Sequence, residues 1–310
     1  MTSRVLVIGE VLIDVVRTPD GAVSEHVGGS PANVATGLAR LGHSTDFATT
    51  FGRDDRGRAC LEHVRGQGVE VLPTSRTAEP TSVADATIDE SGAATYVFDL
   101  HWNLAPVPVR SGVGHVHTGS IAATVAPGAA TVARTIAEVH DEVTVSYDPN
   151  IRPSIMGDPE DYRPVVEHLV GLSDVVKASS DDLELLYPGR TVEEVLAHWA
   201  DLGAALTVVT LGGEGVAYRV PATGTVCRVQ ARVLDPGLVV DTVGAGDSFM
   251  AGLISGLLDT GLAGSAAARA ALAGATEADL EPAITRALMT SGVTVRHAGA
   301  YSPTRDELEG

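Results

Sequence analysis

The run DTVGAGDSFMAGL, residues 241–253, crowds a carboxylate against two glycines at the mouth of an apolar, helix-like stretch. Gly244 and Gly246 let the chain turn sharply and leave backbone N–H groups uncovered. A helix starting near Asp247 adds its positive dipole end and its unpaired amides. Gly244, Ala245 and Gly246 therefore outline an anion hole suited to a terminal phosphate. Asp247, held at the same spot, is placed to take a proton from a hydroxyl attacking that phosphate. The competing reading is a glycine turn with Asp247 as a plain helix cap. The chain has neither a G-x-x-x-x-G-K-S/T loop nor a G-x-G-x-x-G opening a helix after its first strand, so the two standard phosphate loops do not account for the hole.

Further polar groups follow other apolar runs. In GEVLID, Asp14 is expected at the end of the first strand, and ligands of doubly wound sheets bind beyond the carboxyl ends of strands. In GGSPANVA, Gly28 and Gly29 allow close approach to the backbone, and the Asn33 amide can both donate and accept. An acid, a glycine pair and an amide suit a polyhydroxylated ligand; ordinary turn chemistry is the alternative. YDPNIR presents Asp148, Asn150 and Arg152, which suit a metal-bound phosphate or a substrate clamp, or else a turn with a surface ion pair. TLGGEG presents Thr210, Gly212, Gly213 and Gly215, suited to phosphate or ribose contact or to a simple turn. In HVHTGS, His115 and His117 share one face of a strand, as metal ligands or as core or pocket histidines. Cys60 lies in a helical stretch and reads as packing.

The elements that must position these groups alternate. RVLVIG, VTVSYD, DVVKAS and LTVVTLG are short apolar runs of the kind buried on both faces of a parallel sheet. Between them lie helical stretches. SPANVATGLARLG has Ser30 as N-cap, Pro31 at the first helical position and Gly42 as a stop. PGAATVARTIAEVH is a second helix, and TVEEVLAHWADLG opens on a capping box of Thr191 and Glu194. The C-terminal part is helical throughout. Strands alternating with helices predict an α/β fold with a parallel sheet covered on both faces. Residues 14–30 and 81–100 break the rhythm: each alternates polar and apolar residues around a turn, Asp20-Gly21 and Ser91-Gly92. They read as hairpins, forming either a small separate sheet over a site or an extension of the main sheet.

Bulk properties narrow the partners. The 310 residues suffice for one large domain or two small ones. A net charge of -19 disfavours nucleic acid, which requires clustered Lys and Arg. Cys60 and Cys227, far apart and without a CxxC motif, fit a reducing cytoplasm. No apolar run approaches the ~20 residues of a membrane span.

Taken in order, GEVLID, GGSPANVATGLARLG, YDPNIRPSIM, TLGGEG and DTVGAGDSFMAGL resemble the ribokinase-like, or PfkB, family of carbohydrate kinases, from residue 4 to about residue 302. The resemblance implies a ribokinase-like three-layer α/β/α doubly wound sheet. One kinase domain would span residues 1–310, with a β-sheet lid from about 14–30 and 75–110. It implies transfer of the γ-phosphate of ATP to a sugar hydroxyl with Mg²⁺, with Asp247 as base and Gly244, Ala245 and Gly246 as anion hole. Asp14, Gly28, Gly29 and Asn33 fall on sugar-binding positions. Lys177, Ser179, Thr210, Gly212 and Gly215 fall on or near nucleotide positions. Ser179 and Asp182 replace the Asn-x-x-Glu that many members carry near magnesium. A potassium site would use Asp241, Val243 and a loop around Thr294 and Gly299. His101, Trp102 and Asn103 are expected to touch the sugar, and a homodimer through the lids in a cytoplasmic enzyme is expected. The wording is most like bacterial fructokinases. It is also similar to 2-keto-3-deoxygluconate kinases, in which Arg152 or Arg110 would hold the substrate carboxylate. Ribose and nucleoside kinases of the family are further readings, as is a non-catalytic sugar-binding or regulatory protein on this fold.

Overall fold

The computed structural model describes residues 3–90, 94–231 and 236–309. Its chain opens with β1 (Arg4–Ile8), whose Val5 to Ile8 are all buried, as a strand sandwiched between two helical layers must be. Then come β2 (Leu12–Arg17), β3 (Val23–Gly28), α1 (Ser30–Arg40), β4 (Thr45–Ala48), α2 (Asp55–Gly66) and β5 (Glu70–Val71). A hairpin of β6 (Val83–Ile88) and β7 (Ala94–Asp99) follows, then β8 (Val113–Gly119) and α3 (Gly128–Val139). Next are β9 (Thr144–Asp148), a short α4 (Pro153–Met156), α5 (Pro159–Gly171), β10 (Val175–Ser179), α6 (Ser180–Leu186), α7 (Val192–Leu202) and β11 (Leu206–Thr210). The chain ends with β12 (Val216–Arg219), β13 (Val226–Val229), α8 (Ala245–Asp259), α9 (Ala266–Ala273), α10 (Glu277–Thr294) and α11 (Arg305–Glu309).

Nine strands form one sheet in the order β13-β12-β11-β10-β9-β8-β1-β4-β5. The pairs from β11 to β5 are parallel; β12 and β13 add antiparallel strands at one edge. Side chains alternate across the sheet. Val5, Val7, Val175, Leu206 and Val208 meet α1, α2, α8 and α10 on one face. Leu6, Ile8, Val145, Val176 and Val209 meet α3, α5, α6 and α7 on the other. The chain runs from β1 to β4 on one side, then returns to β8 on the other. The strand order therefore reverses beside β1, and the crevice at such a reversal, beyond the carboxyl ends of the strands, is where ligands bind.

The two stretches that broke the strand–helix rhythm form a second, separate sheet in the order β3-β2-β6-β7. Two antiparallel hairpins join through a parallel β2–β6 pairing. The Ser91-Gly92 turn expected in the second hairpin lies outside the described residues. Asp14 belongs to this sheet, at the middle of β2, rather than to the end of the first strand. Gly9 to Val11 break the chain between β1 and β2, so the apolar stretch RVLVIGEVLID serves two sheets.

Helix α8 is buried from Asp247 through Leu257. Small residues allow this. A Cβ on Gly37 of α1 would lie 2.7 Å from the Ala251 Cβ, so the α1 and α8 backbones cross closely there. On another face, Thr290 of α10 donates to the Ser248 carbonyl at 2.8 Å, across Gly252.

Candidate active site

Helix α8 begins at Ala245, and Gly244 caps it in the left-handed region, φ 73°. A Cβ at Gly244 would lie 2.6 Å from Ala300, so only glycine fits. Asp247 sits in the first turn and makes no capping bond. Its carboxylate is instead held by α1: the Ser30 hydroxyl donates to Oδ1 at 2.6 Å and the Asn33 amide donates to Oδ2 at 2.8 Å. The helix-cap reading of Asp247 is thereby replaced, and so is the expectation that Ser30 caps α1. That cap is Gly29, with φ 108°, where a Cβ would press within 2.6 Å of the Glu10 carbonyl. A left-handed residue at the cap leaves the serine hydroxyl free to reach Asp247. Burial pushes the Asp247 carboxyl up, against the pull of Ser30, Asn33, Lys177 and Arg152. A carboxylate 8% exposed with a raised pKa is poised to accept a proton nearer neutral pH than an ordinary aspartate.

Beneath the glycines lies a buried ion pair. Lys177 Nζ donates to Asp148 Oδ2 at 2.9 Å, with the two side chains 4% and 1% exposed. A Cβ on Gly246 would lie 3.1 Å from that ammonium, so the positive charge sits directly under the glycine turn that opens α8. Burial alone would lower the Lys177 pKa; Asp148, Asp182 and Asp247 raise it overall and keep it protonated. Asp148 is pushed up to about 6 by burial, against Lys177, and remains ionised at neutral pH. Its Oδ1 is buried without a hydrogen-bond partner. Among the described residues no three His, Cys, Asp or Glu side chains form a metal cluster. One open carboxylate oxygen still fits Mg²⁺, which takes one or two carboxylates and otherwise keeps water and phosphate oxygens. Asp182 is not open: Oδ1 accepts from Ile151 N–H, and Oδ2 from the amide and hydroxyl of Ser179. Ser179 and Asp182 form the capping box of α6, so the hydroxyl expected near the nucleotide is occupied in closing a helix.

At the opposite end of the crevice, Asp14 of β2 lies across from His26. Burial raises its carboxyl to about 6, opposed by His26 and Arg152. Gly28 leaves the space that the Asp14 carboxylate fills. Arg152 is exposed, at the start of α4, and its charge also reaches Asp247. Asp14, Arg152, Asn33 and Asp247 thus converge, and Asn103 is exposed after β7. Trp102, expected at the sugar, is buried in the main core and its indole donates to the Ala122 carbonyl at 3.0 Å. Arg110 pairs with Glu70 beside Asp46, at the amino-terminal edge of the sheet, and is removed from the site. His115 and His117 are core residues: buried and bridged by the Ser146 hydroxyl, with burial lowering both to about 3.

A cavity of about 1030 Å³ opens on the other side of Gly246. Thr210, Gly212 and Gly215 line it, as expected, together with Ala245 and Gly246. Its far wall is Val239, Val295, Met289 and Gly292, which sequence reasoning missed. The apolar run VVDTV, residues 239–243 outside any helix, was the available signal, since Val239, Val240 and Val243 remain exposed. The residues expected around a monovalent cation also meet. Asp241 accepts from Val243 N–H at 3.0 Å and from Gly299 N–H at 2.9 Å, and Thr294 donates to the Tyr301 carbonyl. Glu10 was missed as well: it is buried after β1, accepts from Ala122 N–H at 3.2 Å and is electrostatically coupled to Asp247.

A buried carboxylate, an amide cradle over a lysine and a nucleotide-sized cleft, all at the carboxyl edge of a doubly wound sheet, define a phosphoryl-transfer enzyme. The chain belongs to the pfkB family of carbohydrate kinases, whose model matches residues 2–307. It is 31% identical over 279 residues to a fructokinase of Klebsiella pneumoniae, covering 87% of this chain and 89% of that one. A 2-dehydro-3-deoxygluconokinase of Bacillus subtilis is 30% identical over 76% of this chain and 75% of its own length. Among solved structures, a double mutant of a fructokinase from Vibrio cholerae O395 with bound fructose, ADP and potassium ion superposes with a TM-score of 0.83. It is 26% identical, and the match covers 99% of this chain and 97% of that one. The protein is a fructokinase-like sugar kinase of the ribokinase-like α/β/α fold.

Proposed function

We propose that the enzyme phosphorylates the primary hydroxyl of fructose with ATP. The observation that carries the mechanism is the Asp247 carboxylate, held on both oxygens by α1 beside the Gly244–Gly246 amides and the Lys177 ammonium. Asp247 accepts the proton of the sugar hydroxyl as its oxygen forms a bond to the γ-phosphorus. The bond from that phosphorus to the β,γ-bridging oxygen breaks, and ADP leaves. The α8 amides and Lys177 oppose the charge that spreads over the transferring group. Mg²⁺ would lie at the open oxygen of Asp148 and neutralise phosphate charge. Asp14, Gly28, Gly29, Asn33, Asn103 and Arg152 are assigned to the sugar, and Lys177, Thr210, Gly212 and Gly215 to the nucleotide.

Potassium at the Asp241–Gly299 loop is part of the proposal, supported by the convergence of those residues and by the potassium in the Vibrio cholerae structure. The second sheet acts as a lid on a single kinase domain, and pairing of lids into a homodimer would cover exposed Val23, Tyr96 and Val97. A cytoplasmic enzyme suits the chemistry; among the described residues no helix is long and apolar enough to cross a membrane. A sugar acid such as 2-keto-3-deoxygluconate is a second reading, favoured by the exposed cation of Arg152 at the sugar end.

ADP release over fructose, ribose, ketodeoxygluconate and nucleosides tests the assignment, with Asp247→Asn as control. Fructose should give the highest kcat/KM, and the variant should lose about 10³-fold or more in kcat while still binding ATP. Release with ketodeoxygluconate alone would move the assignment to the sugar acid. Near-normal turnover by Asp247→Asn would remove the base.

A further inference from the structure

Ser30 lies on the first turn of α1, immediately after the Gly28-Gly29 pair. Gly29 already caps that helix, and the first turn contains Pro31, which has no N–H to satisfy. The serine hydroxyl therefore has no local duty. It reaches across 217 residues of sequence to Asp247 Oδ1, at 2.6 Å. Asn33, about one helical turn on, takes Oδ2. The close crossing at Gly37 and Ala251, one further turn along both helices, sets the register that makes this possible. We propose that Ser30 is a positioning residue for the base, locking the Asp247 carboxylate in one rotamer and favouring its ionised form. The inference rests on reading Asp247 as the base.

The hydroxyl can only donate to a carboxylate, so its bond exists for the anion and weakens when Asp247 is protonated. A donor on each oxygen takes one lone pair of each and leaves one for the substrate hydroxyl. Other charged groups also face Asp247. Lys177 of β10 and Arg152 after β9 favour the anion, whereas Glu10 after β1 and Asp148 at the end of β9 oppose it. Ser30 and Asn33 are the neutral donors in that set. Replacing Ser30 leaves every one of these charges in place, so its effect isolates the hydrogen bond.

The test is Ser30→Ala, with Ser30→Thr to restore a hydroxyl and Ser30→Cys to keep the size with a weak donor. The Asp247 carboxyl carbon is followed by ¹³C NMR titration of aspartate-labelled protein, its signal assigned by its absence in Asp247→Asn. The pH profile of kcat/KM is measured in parallel. Loss of one hydrogen bond to a charged group corresponds to a rise of about one pH unit in the titration midpoint. In Ser30→Ala and Ser30→Cys the titration and the acid limb should both rise by about that much, with activity below the limb about tenfold lower. Above the limb and in KM for ATP, little changes. Ser30→Thr should return both towards wild type. Unchanged titration in both Ser30→Ala and Ser30→Cys would overturn the proposal. If the titration moves but wild-type protein phosphorylates none of the sugars, the positioning role stands and the kinase reading fails.

Discussion

Replacing Glu10 with glutamine tests the electrostatics behind the active site without touching a substrate group. Glu10 is buried after β1, behind the loop that carries Gly29, and its Oε2 accepts from Ala122 N–H. Burial, the largest cause, raises its pKa from the ordinary 4.5 to about 7, and the negative charge of Asp247 pushes the same way. Between those values the folded chain keeps a proton that the unfolded chain has released, so stability falls as pH rises through the window. With the two pKa values 4.5 and about 7, the loss between pH 5 and pH 8 is about 2.5 kcal/mol. Glutamine is nearly isosteric, still offers an oxygen to Ala122 and never ionises. Its stability relative to wild type should therefore rise by about 2.5 kcal/mol from pH 5 to pH 8. The assay is urea unfolding of both proteins at the two pH values, followed by fluorescence of buried Trp102 and Trp199. Asp14, Asp148 and Asp247 add slopes of the same sign, but these largely cancel in the difference. A gap between the two proteins that is equal at both pH values would refute the reasoning.

Three further outcomes follow from the same geometry. Gly37→Val should cost about 2 kcal/mol by overpacking α1 on α8 and should lower kcat more than it changes KM, because the donors to Asp247 move; thermal melts and steady-state kinetics read both effects. Asp148→Asn leaves the Lys177 ammonium buried without its close partner and should cost about 3 kcal/mol in urea unfolding at pH 7.5. The same variant should require more Mg²⁺ for half-maximal activity. In wild type, the Mg²⁺ concentration for half-maximal activity should rise as pH drops through about 6, where Asp148 takes up a proton, and a requirement unchanged down to pH 5 would contradict that role.

Asp247 sits at a place that also holds the fold together. Asp247 is surrounded by Ser30 and Asn33 of α1, and Lys177 of β10 lies under Gly246. These groups come from three elements, α1, α8 and β10, which meet at the carboxyl edge of the sheet, where parallel strands end and helices begin. That edge collects helix amides and chain reversals together, which is what a transferring phosphate requires.

Local chemistry made much of this legible from the sequence. Apolar runs buried on both faces mark parallel strands, and β1, β9, β10 and β11 fall on RVLVIG, VTVSYD, DVVKAS and LTVVTLG. The capping box at Thr191 and Glu194 forms as its spacing predicts. The two alternating stretches pair as hairpins, because a period of two and a tight turn are properties of neighbouring residues. The glycine turn at residues 244–246 was legible for the same reason. Tertiary structure decided which partners these groups take. Ser30 reads as a helix cap by local rules, yet it reaches Asp247 because Gly29 takes the left-handed position and Gly37 lets α8 approach. Asp182 reads as a phosphate-side carboxylate, yet it closes a capping box and holds Ile151. Trp102 reads as a pocket residue, yet its indole is spent on Ala122 in the core. Backbone shape depends on residues a few places apart, and period and turn type expose it. A side chain's partner depends on which distant elements pack against it, and the sequence around Ser30 contains no trace of the helix more than two hundred residues away.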